Sequence, residues 1–480
     1  MNKRLLSCVL AGAMLLTGCN ALNSRILTID QQISMIDGVI SMSEIVQAEG
    51  EQVFDHKYMV TFLQPLDWND PDAGTFPQRV EIGLREGAQF TVLETNGYCI
   101  FDSIAATDDE PDVAAHLNAN YINIEHRFSG LSRPEDMSNY DTAYWQYLTP
   151  ENEAHDYHRI YEALSSLLGD KWISYGSSRG GQMTNVYGYF YPEDMLAFVS
   201  YVAPSATTDQ DTRFYDFVYN DIGNECFGEA EAEQMRDTLL DFQIELMANK
   251  EANLPYYEQF LEDNGYLYQG GADAGVIYDL NVLEFAAIYW QYESSLGALN
   301  EVLNMPSSTL EESEARRSTE LQLLVNVQSP EDWSADMVAW PYYVNAATTY
   351  GHYYYDFSYL RDALEDEGLA DTLSVTESME DGLVWDTVFT EEQEAQFVFD
   401  GLFEQELIDS FTSTEAHYIM VFGANDPWYS LACPVPDNPN VAVFVSPDHA
   451  HHAQISNLPE DMQNEAWALL DEWTGASQAG

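Results

Sequence analysis

The sequence predicts an α/β protein whose sheet is assembled from two separated stretches of chain, with a large helical cap inserted between them. Three observations carry this prediction. Apolar strand-like runs alternate with segments of helical spacing up to about residue 206. From 207 to 400 the spacing becomes helical throughout, aromatics are frequent and strand signals are few. Strand-like runs then resume at His417–Phe422 and Asn440–Val445. The expected organisation is a leader at 1–18, a first part of the core at 19–206, the cap at 207–400 and a second part of the core at 401–480. No internal repeat is visible, and no Pro-, Gly- or Ser-rich linker separates the cap from the core.

The leader carries Lys3 and Arg4, an apolar run from Leu5 to Leu16, and small residues before Cys19, the pattern of an export signal. Its ending Leu16-Thr17-Gly18-Cys19 resembles the bacterial lipobox, which implies cleavage before Cys19 and a lipid on that sulfur. An ordinary secretory signal with a chance cysteine is the alternative. No later run reaches the length of a membrane span, so the expectation is an exported chain held at the cell envelope by its lipid. Cys99, Cys226 and Cys433 are scattered, so at most one disulfide is expected and none can be assigned. No Cys or His grouping has metal-ligand spacing, and neither a metal nor a cofactor is expected. The formal net charge of −64 is spread along the whole chain, which argues against nucleic acid as a partner. Such a surface is either a solvated shell or a field that draws in cationic peptides.

Tyr58 to Arg85 reads as strand, turn, strand, with turn chemistry at Asn69–Gly74. Gln89 to Glu94 is a further strand ending in Thr95-Asn96-Gly97-Tyr98. A glycine-bearing loop there either supplies a backbone N–H to an oxyanion, with Tyr98 as the donor, or is a plain turn. Asn120 to Phe128 is read as one strand whose polar end, Glu125-His126-Arg127, is either an ion-paired brace or a substrate contact. Glu125 and Arg127 are therefore candidates for a substrate-side role. Glu153 to Leu168 has helical spacing and leads to the most informative stretch of the chain, Lys171 to Pro192. There an apolar strand breaks at Gly176-Ser177-Ser178-Arg179-Gly180 and a helix follows. A serine on such a turn projects its hydroxyl above the sheet, and flanking glycines let the strand and helix backbones close up. Ser178 is the candidate nucleophile and the Arg179 N–H a candidate oxyanion donor.

After the cap, Asp426 lies in the loop behind a late strand. It is either the acid partner of a histidine or a turn-former before Pro427. Of the ten histidines only His449, His451 and His452 follow it, which makes the chain order Ser, Asp, His available. Asn464 to Trp473 closes the chain as a helix.

Several stretches together resemble the prolyl tri- and tetrapeptidyl aminopeptidases, bacterial serine peptidases with the α/β-hydrolase fold. They include FLQPLDW (62–68), GTFPQRV (74–80), TVLETNGY (91–98), NIEHRFSGLSRP (123–134), KWISYGSSRGG (171–181), PYYVNAATTYG (341–351) and FGANDPW (422–428), in the family's order. The resemblance implies a Ser178, Asp426 and histidine triad and release of short, proline-ending peptides from substrates with a free amino terminus. It also implies carboxylates, unidentified by sequence, that hold the substrate ammonium. The family's Asn-His-Gly-Ala-x-Ile corresponds to Ala450-His451-His452-Ala453-Gln454-Ile455, which selects His451 while leaving His449 and His452 open.

Overall fold

The structure is a computed structural model that describes residues 27–47, 52–106, 110–138, 141–269, 272–292, 296–334 and 340–476. The leader and Cys19 lie outside the described residues. Nine strands form one sheet in the order β1-β2-β3-β5-β4-β6-β7-β10-β11. These are β1 (Val39–Glu44), β2 (His56–Pro65), β3 (Thr75–Leu84), β4 (Thr91–Thr95), β5 (Asn120–Ile124), β6 (Trp172–Ser177), β7 (Ala197–Tyr201), β10 (Tyr418–Gly423) and β11 (Val441–Ser446). From β1 to β5 neighbours are antiparallel, and from β5 to β11 every pair is parallel. That strand order, with the nucleophile strand β6 in the middle, is the α/β-hydrolase fold.

Helices cover both faces because the inner strands are apolar on both. In β10, Tyr418, Met420 and Phe422 join one core while Ile419 and Val421 join the other, the period-two alternation of a pleated strand. The first core receives Ala154, Tyr157, Ile160 and Leu164 from the helix Pro150–Leu168. Thr149 caps that helix by accepting the N–H of Asn152 at 3.2 Å, and Pro150 fits its first turn. The second core receives Ala466 and Leu470 from the helix Glu460–Thr474.

Residues 213–410 are mostly helical, and their aromatic-rich core is a separate cluster that includes Phe214, Tyr289 and Trp333. A short parallel pair, β8 (Gln210–Asp211) with β9 (His352–Tyr353), ties the start of this region to a point much later in it. Several boundaries differ from the sequence expectation. β1 was not foreseen because its side chains are mostly exposed at the sheet edge and leave no burial pattern. The strand expected to reach Phe128 ends at Ile124, and Phe128 itself takes φ +65° where the chain turns. The helix expected over Trp340–Gly351 is α-helical only to Asn345 and then widens to a π turn at Ala346–Tyr350. Cys99, Cys226 and Cys433 are all free thiols.

The helix Gly401–Ser410 carries Glu404 into the interior, where neither carboxyl oxygen completes a hydrogen bond although the Ser205 and Gln182 side chains offset part of the cost. Burial pushes its pKa from the usual 4.5 up to about 8. Below pH 4.5 the group is neutral in folded and unfolded chains alike, and its burial then carries no ionisation penalty. As pH rises from there to about 8 only the unfolded chain ionises, so stability falls by about 1.4 kcal/mol per unit. Glu404→Gln should therefore raise the thermal midpoint over wild type by an amount that grows between about pH 5 and pH 8. A difference that stays constant with pH would contradict this.

Candidate active site

Ser178 follows β6 directly and opens the helix Arg179–Phe190, with φ +56° and ψ −126°. A left-handed φ on a serine is a strained conformation, held here by the packing of strand against helix. The glycines around it are required by contact. A Cβ on Gly176 would lie 2.1 Å from the Gly180 oxygen, and one on Gly180 would lie 2.6 Å from the Thr95 oxygen.

Ser178 Oγ lies 2.9 Å from His451 Nε2, and His451 Nδ1 lies 2.7 Å from Asp426 Oδ2. A carboxylate only accepts, so Nδ1 carries the ring proton and Nε2 is free to receive one from the serine. Asp426 is 1% exposed and His451 9%. Asp426 Oδ1 accepts the Trp428 N–H at 3.1 Å, which fixes the carboxylate plane. Gly423, at the end of β10, lets the histidine loop pass: a Cβ there would lie 2.3 Å from the Ala450 oxygen. The same loop is tied to the helical region, since the His451 N–H donates to the Gln291 carbonyl at 3.2 Å. The other two histidines point elsewhere. His449 Nδ1 lies 2.9 Å from Ser446 Oγ, and His452 is exposed with its ring 5.6 Å from that of Tyr292.

The model of a family described as PS-10 peptidase S37 matches residues 27–367. The chain belongs to the peptidase S37 family. It is thus a serine peptidase. A prolyl tri/tetrapeptidyl aminopeptidase of Streptomyces mobaraensis is 24% identical over 456 residues, covering 93% of this chain and 86% of the relative. Among solved structures, a proline iminopeptidase of Mycobacterium smegmatis is 12% identical with TM-score 0.38, covering 87% of this chain and 99% of its own. Candida antarctica lipase A in its closed state is 10% identical with TM-score 0.35, over 93% and 84%. Likeness at that level adds nothing to the fold read from the strand order.

Three candidate residues of this S37 peptidase are placed differently from their expected roles. The Tyr98 N–H donates to Asn96 Oδ1 at 2.8 Å within a local turn, so it is engaged rather than offered to an oxyanion. The Arg179 N–H is the first of its helix and has no intrahelical acceptor, so it remains as the donor. Gly97 is more than a turn glycine, because a Cβ there would lie 2.7 Å from Arg179 Cβ and 2.8 Å from the Gly180 nitrogen. Glu125 and Arg127 are fully buried and face protein, not substrate. Glu125 accepts from the Ile100 N–H at 2.8 Å and the Ser132 hydroxyl at 2.5 Å. Arg127 pairs with Asp156 through Nε and Nη2, both at 2.8 Å, and donates to the Leu66 carbonyl at 2.9 Å. They form the brace that sequence left as an alternative. Arg127→Met would leave Asp156 buried without its cation and should lower the unfolding free energy by about 3–5 kcal/mol. Denaturant melts would read the loss, and an unchanged midpoint with a raised KM would instead restore a substrate role.

Sequence gave no hint of what the Arg179 side chain does. It is buried, its Nη2 donates to Asn345 Oδ1 at 2.8 Å, and its guanidinium lies between the rings of Tyr98 and Tyr342, 5.9 and 5.1 Å from their centroids. Asn345 Nδ2 in turn donates to Glu153 at 2.9 Å. Burial opposes charge on Glu153, but His126 and Arg179 outweigh it and hold the carboxyl below its usual range. The nucleophile turn is thereby pinned to the helical region by a neutralised buried network.

Ser178 opens on a cavity of about 340 Å³ whose walls come largely from that region. Aromatic rings dominate the lining, among them Tyr292, Trp333, Tyr343 and Trp428, and two carboxylates, Glu284 and Asp332, also face it. Burial pushes Glu284 up to about 7 against hydrogen bonds from the Tyr215 and Tyr353 hydroxyls, with Asp332 adding to the rise. Burial likewise raises Asp332 to about 6, opposed by Gln328, whose Nε2 donates to Oδ2 at 2.9 Å. His352, also in the lining, is driven down to about 4 by burial and is neutral at neutral pH. No group of His, Cys, Asp and Glu suited to a metal ion occurs among the described residues.

Proposed function

We propose that this S37 peptidase releases short, proline-ending peptides, three or four residues long, from the amino terminus of its substrates through an acyl-enzyme on Ser178. The observation that carries the reading is the unbroken line Asp426–His451–Ser178 at 2.7 and 2.9 Å, ending at the cavity. In this reading His451 takes the Ser178 proton as Oγ attacks the scissile carbonyl, and Asp426 stabilises the imidazolium that forms. The Arg179 N–H donates to the oxyanion, a donor worth about 3–4 kcal/mol to the transition state. His451 then protonates the departing amine, and water, deprotonated in its turn by His451, hydrolyses the ester. The helices of 207–400 cap the site and limit the length of chain that fits between Ser178 and the far wall. The relative from Streptomyces mobaraensis, named for release of tri- and tetrapeptides, supports the substrate class.

The test is to digest a mixed peptide pool before and after acetylation of its amino termini and to read the products by mass spectrometry. Amino-terminal fragments of three or four residues ending in proline should appear only from the unblocked pool. Equal cutting of both pools, or release from the carboxyl terminus, would overturn the reading. We further propose export and a lipid anchor at Cys19. Metabolic labelling with an alkyne fatty acid should tag the wild-type protein and fail on Cys19→Ala, whereas equal labelling of both would rule the anchor out.

A further inference from the structure

We propose that Asp332, with Glu284 behind it, forms the subsite that binds a primary ammonium group of the substrate. The proposal rests on the peptidase reading of the cavity and names the residues that reading lacks.

A carboxylate in a confined, ring-lined space needs a cation or a full set of donors, because desolvated negative charge is costly. Among the described residues neither Asp332 nor Glu284 enters an ion pair. The cavity supplies no cation of its own. Its only Lys or Arg side chain, Arg179, is turned onto Asn345 and stacked between Tyr98 and Tyr342, and its lone histidine, His352, donates Nδ1–H to the Tyr353 carbonyl at 3.0 Å. The two carboxylates are close enough for the charge of Asp332 to perturb Glu284. The charge missing from the cavity is therefore positive, and it comes with the ligand.

The two carboxylates are held differently, and the difference divides their roles. Glu284 projects from the helix Ala274–Tyr292, is 2% exposed, and has one tyrosine hydroxyl on each oxygen: Tyr215 on Oε1 and Tyr353 on Oε2, the latter at 2.8 Å. Such an arrangement fixes a carboxylate as a source of field. Asp332 follows Pro330 in a short 3-10 turn, has surface open to the cavity, and is oriented by a single protein donor, Gln328 Nε2 on Oδ2. No protein donor reaches its Oδ1 among the described residues, which leaves that oxygen for an N–H of the ligand. The rings of Trp333, Tyr343 and Tyr355 around it offer faces that favour a cation over a neutral amide. A compact ammonium fits one free carboxylate oxygen among rings, where a planar guanidinium would call for two.

A primary ammonium arises either at a peptide's amino terminus or on a lysine side chain, so the test uses both. Four fluorogenic proline amides of one sequence would be compared: amino terminus free or acetylated, each with lysine or norleucine at the first residue. Wild type should prefer the free terminus, and Asp332→Asn should lower kcat/KM for it roughly a hundredfold, chiefly through KM, so that free and acetylated forms become nearly equal. Glu284→Gln should lower the same preference by less. Labelling of Ser178 by a fluorophosphonate in each variant reports that the site is still assembled. If wild type prefers lysine over norleucine with the terminus acetylated, and Asp332→Asn abolishes that preference, the subsite stands for a side-chain ammonium while the amino-terminal reading fails. If wild type prefers the free terminus and Asp332→Asn retains the preference with Ser178 still labelled, the subsite assignment fails and the aminopeptidase reading survives.

Discussion

Ser178→Ala should reduce turnover by at least about a thousandfold while leaving the fold in place. The lost atom is the one that lies 2.9 Å from His451 Nε2, and no other hydroxyl is bonded to that imidazole among the described residues. Alanine can occupy the same strained backbone, because φ +56° is imposed by the contacts of Gly176, Gly180 and Gly181 and not by the serine side chain. The variant should thus unfold at the wild-type temperature, and burst kinetics with an activated ester should show no acyl-enzyme. A variant that kept a tenth of the activity would mean that Ser178 does not attack.

His451→Ala should cost a similar factor, and His449→Ala and His452→Ala should keep most of the activity. The three imidazoles lie within four residues of one another, so a general change in the loop would affect all three variants alike. Only His451 has both ring nitrogens committed to the line from Asp426 to Ser178. His449 is bonded to Ser446, and His452 lies against Tyr292. Rates for the three variants under one set of conditions decide the matter, and a His452→Ala loss as large as that of His451→Ala would contradict the geometry.

What could be read before folding, and what could not, follows from how local each signal is. The turn around Ser178 is written in adjacent residues, since close approach of strand and helix demands glycine at 176 and 180. The late aspartate and histidine were readable from chain order and the ends of two apolar strands. Tyr98 was misread because its N–H depends on where the Asn96 side chain turns, a choice between two acceptors that no pattern records. Glu125 and Arg127 sit at the strand end where ligands collect in open α/β sheets, yet Ser132 and Asp156 claim them, and those partners are set by packing. Asp332 and Glu284 were invisible for a different reason. On a chain with 81 acidic residues a carboxylate is unremarked until the structure shows which ones lack a cation.

The most direct measurement of the central chemistry is covalent. A fluorophosphonate reacts with a serine hydroxyl only where a neighbouring base and an oxyanion donor activate it. Peptide mapping of the inhibited enzyme should find one equivalent of phosphonate, on Ser178, with activity lost in proportion to its incorporation. Full activity remaining after Ser178 is modified, or complete inactivation with the label on another residue, would contradict the assignment.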